Sequence, residues 1–267
     1  WITEKGKEYS FYSWYDTLAL SKFGMLPKTP WFEGESWADK NLILSKQVLI
    51  DSKAEGAKGD NAVVVGQYSH DLLFENFSKK EIVKKEICGK YFNGSNKSII
   101  VFAFPQFAEH NLMTKNEALK EIKYISDCIN HSDVNVLVSL HPKMDYEDYK
   151  QFENSNLMIA KDERLSYILP IGDIFITAFE STISWALLCG IVPVFLDFYG
   201  LGFSLDKFQG SISFKEKPKF EKEIKEVINN IELYKSNLNQ NRDLLPPFDG
   251  KSGERILNEI KELVGNV

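Results

Sequence analysis

The sequence predicts an α/β fold with a doubly wound parallel sheet, and three observations predict it. Apolar runs such as Ile99-Ile100-Val101-Phe102, Val136-Leu137-Val138 and Ile174-Phe175-Ile176 carry no polar interruption, as strands covered on both faces require. These runs alternate with stretches whose apolar residues recur at helical spacing. Most of the runs end in Gly, Pro or polar residues, which stop a strand and begin a loop.

The elements follow in order. Residues 1–60 stand apart: they hold four of the five tryptophans, Trp1, Trp14, Trp31 and Trp37, and a turn-rich segment over 24–35. Leu42, Leu44, Val48 and Leu49 predict a helix over 38–54, and Gly56-Ala57-Lys58-Gly59-Asp60 a linker. Ala62-Val63-Val64-Val65 reads as a short buried strand stopped by Gly66. A helix follows over 79–88, and a second strand over 98–104 ends at Pro105-Gln106. Leu119, Ile122, Ile125 and Ile129 share one face of a helix over 114–129. Strands are expected over 134–140, 156–159, 174–177 and 192–196, with short helices over 145–152, 163–169 and 182–189 between them. Ser211 to Phe214 is a further strand candidate, before amphipathic helices over 219–239 and 253–264. The reading is a Rossmann-like doubly wound parallel sheet over 61–267, preceded over 1–60 by the tail of an N-terminal domain and a linker. The first residue is Trp1 rather than Met, so upstream sequence is expected.

Composition excludes several classes. The chain has 267 residues, 32 Lys and Arg against 38 Asp and Glu, a net charge of −6 and a pI near 5.4. That balance disfavours a nucleic-acid binder, which shows a basic stripe. Cys88, Cys128 and Cys189 form no CxxC pattern and read as reduced thiols. His70, His110, His131 and His141 lack HxxxH or HExxH spacing, so no dedicated metal site is expected. No apolar run is long enough to span a bilayer. There is no GxGxxG after the first strand, no GxxxxGK[ST] and no GxSxG, which disfavours a dinucleotide fingerprint, a P-loop and a hydrolase elbow.

The chemistry sits at strand ends, where open α/β sheets bind ligands. His141-Pro142-Lys143 follows the Val134–Leu140 run, and Pro142 halts the ladder there. His141 reads either as a donor to a phosphate, with Lys143 adding charge, or as a cap on a neighbouring carbonyl. Glu180-Ser181-Thr182 follows the Asp173–Ala178 run. Ser181 and Thr182 read either as hydroxyls for a phosphate at a helix start or as a plain N-cap. The two motifs are expected on neighbouring strands. Gly66-Gln67 allows a close ligand approach or a sharp turn, and Pro105-Gln106 either lines a nucleotide or simply turns the chain.

The ordered set resembles the C-terminal domain of GT-B type glycosyltransferases and the related UDP-N-acetylglucosamine 2-epimerases. It comprises Val63-Val64-Val65-Gly66-Gln67 with Asp71-Leu72-Leu73, Ile99 to Gln106, His141-Pro142-Lys143, Asp173 to Thr182, and Gly190-Ile191-Val192-Pro193-Val194. Asp249-Gly250 ahead of Glu254-Arg255-Ile256-Leu257 resembles the ending of surface-polysaccharide transferases. The resemblance implies a nucleotide-sugar site over 61–267 and an acceptor domain across a cleft. It implies that His141 matches the histidine of the HP motif that contacts the donor phosphate in bacterial sialyltransferase-like and Kdo-transferase-like enzymes. Ser181 and Thr182 match the hydroxyl pair at that phosphate. Gly66, Gln67, Pro105, Gln106, Pro142 and Glu180 would line the nucleotide. Many UDP-sugar enzymes of this kind hold a ribose-gripping Glu one helical turn later, where this chain has Ser184-Trp185-Ala186; an indole cannot accept those hydroxyls, which argues against a UDP-sugar and makes a CMP-linked or other donor worth testing.

The activity implied is transfer of a sugar from a CMP- or UDP-sugar to a lipopolysaccharide or capsule glycan, without metal or other cofactor. His141 would act at the leaving phosphate, and a carboxylate would serve as base: Glu33 foremost, with Glu35 and Asp16 as further candidates. The partners expected are the nucleotide-sugar and the glycan acceptor, in a cytoplasmic bacterial enzyme resting at the inner face of the inner membrane. The alternatives are a 2-epimerase, a polyol-phosphate transferase using CDP-glycerol, and a non-catalytic glycan-binding module.

Overall fold

β-branched and aromatic runs become strands because their side chains fit a pleated, buried surface. The computed structural model describes residues 2–4, 7–9, 39–54, 60–178, 182–199, 210–238 and 244–265. Packing divides the chain into two units: Trp1–Asp71 with Arg242–Val267, and Leu72–Asn241. The composition shift suggests a boundary at 60/61. The packing boundary falls later, and the last segment of the chain returns to the first unit.

In the first unit, β1 (Ile2–Glu4) and β2 (Lys7–Tyr9) pair antiparallel. β3 (Asn41–Ile43) leads into α1 (Lys46–Ala54), and β4 (Ala62–Val64) pairs with β3 in parallel. Two sequence expectations are corrected here. The single helix over 38–54 is a strand and then a helix, because Asn41–Ile43 find a pairing partner in Ala62–Val64. The Ala62–Val65 run is a strand, but its sheet is this small one and not the large one.

The chain continues through α2 (Ser69–Ser78), α3 (Lys80–Tyr91), β5 (Ser98–Ala103), α4 (Lys115–Ile129) and β6 (Val134–Ser139). Next come α5 (Tyr146–Tyr149) with a 3-10 turn over Lys150–Phe152, β7 (Leu157–Ile159), and α6 (Leu165–Ile168) with a second 3-10 turn over Leu169–Ile171. β8 (Ile174–Thr177), α7 (Ile183–Cys189), β9 (Val192–Leu196) and β10 (Ile212–Phe214) follow. α8 (Lys217–Asn229), α9 (Ile231–Asn237) and α10 (Ser252–Gly265) close the sequence. The long helix expected over 219–239 is broken at Asn230, whose extended φ of −119° ends α8.

The second unit is built on one parallel sheet in the order β10-β9-β8-β5-β6-β7. Numbered along the chain that is 6-5-4-1-2-3, the doubly wound order whose direction reverses between β5 and β8. Its centre is saturated with apolar contact: Ile100, Phe102, Val136, Val138, Ile174, Ile176, Val192 and Val194 are buried, and Ile122, Ile125, Phe220 and Ile224 from the helices pack on them. The start of α4 is fixed by a capping box, Thr114 accepting from the Glu117 N–H and the Glu117 carboxylate accepting from the Thr114 N–H. α7 ends at Gly190, whose φ of +69° suits glycine, with the Ile191 N–H donating back to the Ala186 carbonyl.

Candidate functional site

The strand order places three loops side by side at the carboxyl edge of the sheet: those after β8, β5 and β6. The two motifs expected on neighbouring strands therefore have β5 between them, which is a correction. The register shows why: Val101 of β5 pairs with Leu137 of β6 on one side and Phe175 of β8 on the other. Pro105 and Gln106 thus stand between the histidine loop and the hydroxyl loop, at the point of reversal where doubly wound folds open a crevice.

The loop after β6 is a tight turn. The Met144 N–H donates to the His141 carbonyl at 2.8 Å, and the Lys143 N–H donates to His141 Nδ1 at 3.1 Å. Asp145 then caps α5 by accepting from the Glu147 N–H at 3.1 Å. Because Nδ1 is an acceptor, the neutral ring carries its proton on Nε2. Burial holds the imidazole below the usual histidine range, helped by the charges of Lys143 and His110 and opposed by Glu109. At neutral pH His141 is thus an uncharged ring whose Nε2–H donates. Pro142 and Lys143 are exposed.

The loop after β5 is more enclosed. The Phe104 N–H donates to the Ser139 carbonyl at 3.1 Å, and Pro105 and Gln106 are buried. The chain then turns through Phe107–His110, with the His110 N–H on the Gln106 carbonyl and Asn111 at φ +56°. In this turn Glu109 Oε1 accepts the Tyr149 hydroxyl at 3.1 Å. Tyr149 is 2% exposed and packs edge-on against Phe104. Burial and the Glu109 charge push its phenol above the usual tyrosine range, so it stays a donor. Neither Glu109 nor Tyr149 belongs to a recognisable motif. Their only sequence signal is an acid beside a histidine, Glu109-His110, in the loop following a buried strand.

Beyond β8, Thr182 takes the N-cap position of α7 without a side-chain cap bond. Thr177, wholly buried at the end of β8, has a hydroxyl with no partner among the described residues. Ser184 is buried and Trp185 half-buried. Glu180 and Ser181 lie outside the described residues, as do Asp16, Glu33, Glu35 and the tryptophans of the N-terminal segment.

Gly66 and Gln67 belong to the first unit. Gly66 has φ +83°, and a Cβ there would stand 2.6 Å from Ser252 Oγ. Close approach of α10 explains this glycine without a ligand. Gln67 is exposed and its carbonyl accepts the His70 N–H. Asp249 near the chain end is paired with Arg255, whose Nε–H donates to the Val65 carbonyl, so that motif braces α10. Among the described residues no group of three or more His, Cys, Asp or Glu is placed to hold a metal ion, and no helix is long and apolar enough to cross a membrane.

Comparison with known proteins follows this geometry. No sequence-family model matches the chain, and no curated protein does. Solved structures do match. The wall teichoic acid polymerase TagF superposes with a TM-score of 0.57 at 18% identity, over 85% of this chain and 59% of that one. The fold is of the GT-B type. The UDP-N-acetylglucosamine 2-epimerase of Methanocaldococcus jannaschii, in complex with UDP-GlcNAc and UDP, gives 0.53 at 18%, over 84% of this chain and 61% of that one. MnaA of S. aureus, in a co-structure with UDP, gives 0.58 at 16%, over 86% and 62%. The chain spans about three-fifths of the length of these neighbours. The doubly wound sheet is the part its sequence anticipates most fully.

Proposed function

We propose that the chain is the nucleotide-binding half of a GT-B type glycosyltransferase. In this reading it moves a sugar from a CMP- or UDP-sugar to a surface glycan of the lipopolysaccharide or capsule kind. The observation that carries the reading is the state of His141: a ring held below the usual histidine range with Nδ1 engaged by the Lys143 N–H, on the loop after β6, next to β5 where the strand order reverses. Cleavage of the donor leaves charge on phosphate, and preorganised donors stabilise such charge. His141 Nε2–H, the Lys143 ammonium, and the hydroxyls of Ser181 and Thr182 would share that task, with no metal or other cofactor. His141 cannot then be the base toward the acceptor, because its free nitrogen already carries a proton; Glu33 is the carboxylate proposed for that role. Pro105, Gln106, Pro142 and Glu180 would line the nucleotide. Activity at the inner face of a bacterial membrane belongs to the same proposal.

A second reading is transfer of a polyol phosphate from CDP-glycerol. The likeness to TagF, one structure of which was soaked with CDPG, supports it. So does Trp185, which supplies no carboxylate in the first turn of α7. Thermal-shift titration with CMP, CDP, UDP and GDP, repeated on His141→Ala, tests the shared core of both readings. Ligand at 100 times its Kd stabilises by about 2.7 kcal/mol. A shift with one nucleotide that falls to about half in the variant supports the site and names the donor class. No shift with any of them overturns it. Product analysis then separates the reactions: a sugar inverted at C2 formed from UDP-N-acetylglucosamine without acceptor is epimerase chemistry, and glycerol phosphate on the acceptor is polyol transfer.

A further inference from the structure

A carboxylate buried on one oxygen and bonded only on the other is costly unless something completes it. Glu109 is in that position. Its Oε1 takes the Tyr149 hydroxyl, while its Oε2 is closed off from bulk solvent and has no hydrogen-bond partner among the described residues. Native proteins leave few such atoms unpaired, and each calls for an explanation. An ionised carboxylate accepts and does not donate, so what completes it must bring an O–H or N–H.

The location restricts what that donor is. Glu109 sits in the turn after β5, the strand at the point where the sheet order reverses, three residues beyond Gln106. Its charge is felt at His141, the proposed phosphate donor, along with those of His110 and Lys143. Tyr149 fixes the carboxylate in place; its ring is wedged against Phe104 and fully enclosed. A carboxylate this close to a phosphate site repels the phosphate itself, so it suits the neutral, hydroxyl-bearing group esterified to it.

On this basis, and resting on the nucleotide reading above, we infer that Glu109 is a specificity-determining residue: its carboxylate, held by Tyr149, accepts a hydroxyl of the group attached to the phosphate that His141 binds. The hydroxyl belongs either to the ribose or to the transferred sugar or polyol, and the test distinguishes them.

The experiment is calorimetric titration of wild type, Glu109→Gln and Tyr149→Phe. The probes are the nucleotide that shifts the wild type, its 2′-deoxy analogue and the matching nucleotide-sugar. A hydrogen bond to a charged acceptor is worth about tenfold or more in affinity. Glu109→Gln is expected to lose about that much, with Tyr149→Phe losing less because the carboxylate remains but is no longer held. If the ribose is the partner, the preference of the wild type for the ribose form over the deoxy form collapses in Glu109→Gln. If the sugar or polyol is the partner, the nucleotide and its deoxy analogue bind both proteins alike and only the sugar- or polyol-bearing nucleotide discriminates between them. Equal binding of all three probes by wild type and Glu109→Gln overturns the inference while leaving the nucleotide reading intact. No binding of any nucleotide by the wild type overturns both. Unchanged melting temperatures of the unliganded variants confirm that folding is not being read.

Discussion

Two polar clusters at the ends of helices and strands show how differently a fold can use the same residue types. Around the start of α10 three charged groups are engaged: Asp71 accepts from the Ser252 and Gly253 N–H groups at 2.8 and 2.7 Å, and Arg255 bridges Asp249 and the Val65 carbonyl. At the carboxyl edge of the large sheet the tally is left open. Glu109 Oε2 and the Thr177 hydroxyl lack partners among the described residues, and the Lys143 ammonium stands exposed. Both clusters contain motifs that look functional in the sequence. The satisfied one is a brace, and the unsatisfied one is where the proposed ligand would bind.

Removing the brace should be the most damaging change. Asp71→Ala uncaps α10 and strips two charge-assisted bonds, so it is expected to cost about 2–3 kcal/mol of stability in urea denaturation. If it costs nothing, the first cluster is ornamental and the contrast fails. Acid should find the same unit through His70, which is buried and held by desolvation at a pKa of about 4. Unfolded, that ring binds a proton near 6.5, so the unfolded state gains protons first as pH falls. Stability is therefore complete above about 6.5, erodes below it, and stops falling on this account below about 4. Between pH 7 and 5, a window above most carboxylate titration, the loss should be roughly 2 kcal/mol, and His70→Gln should flatten the profile.

The open cluster should respond in the opposite sense. His141→Ala is expected to leave the melting temperature nearly unchanged while weakening nucleotide binding about tenfold, as read by titration. A variant that binds normally but unfolds early would move His141 into the class of braces. The smallest effect calibrates the others: Thr114→Ala breaks the capping box of α4 and should cost about 1 kcal/mol with nucleotide affinity unaltered.

Much of the fold is legible in the sequence because the central strands are buried on both faces and so read as uninterrupted apolar runs. β5, β6, β8 and β9 fall where those runs lie, and α4 begins at the Thr114 that its capping pattern marks. Pairing is not written locally. The Ala62–Val64 run has the composition of a central strand and instead joins Asn41–Ile43, and nothing in the histidine and hydroxyl motifs reveals that β5 separates them. α2 escapes notice because the cues in Ser69–Ser78, Asp71 in its first turn and Leu73 and Phe77 one turn apart, are overshadowed by the strand before it. Of the site, His141, Lys143, Pro105, Gln106 and Thr182 are gathered in one unit by topology that their motifs only imply. Glu109 is invisible beforehand because its meaning lies in a single bond to Tyr149, forty positions along the chain.

The partners of Asp71 lie 181 and 182 residues further along the chain. On a ribosome this carboxylate emerges long before the amides it will bind, whereas every strand of the six-stranded sheet is synthesised in between. The sheet can therefore assemble as soon as its own residues are out, and the first unit must wait for the last to be made. Chain order thus sets a timetable in which the unit of the six-stranded sheet matures early and the unit braced by α10 closes last, so truncation after residue 241 should spare the former and leave the latter unfinished.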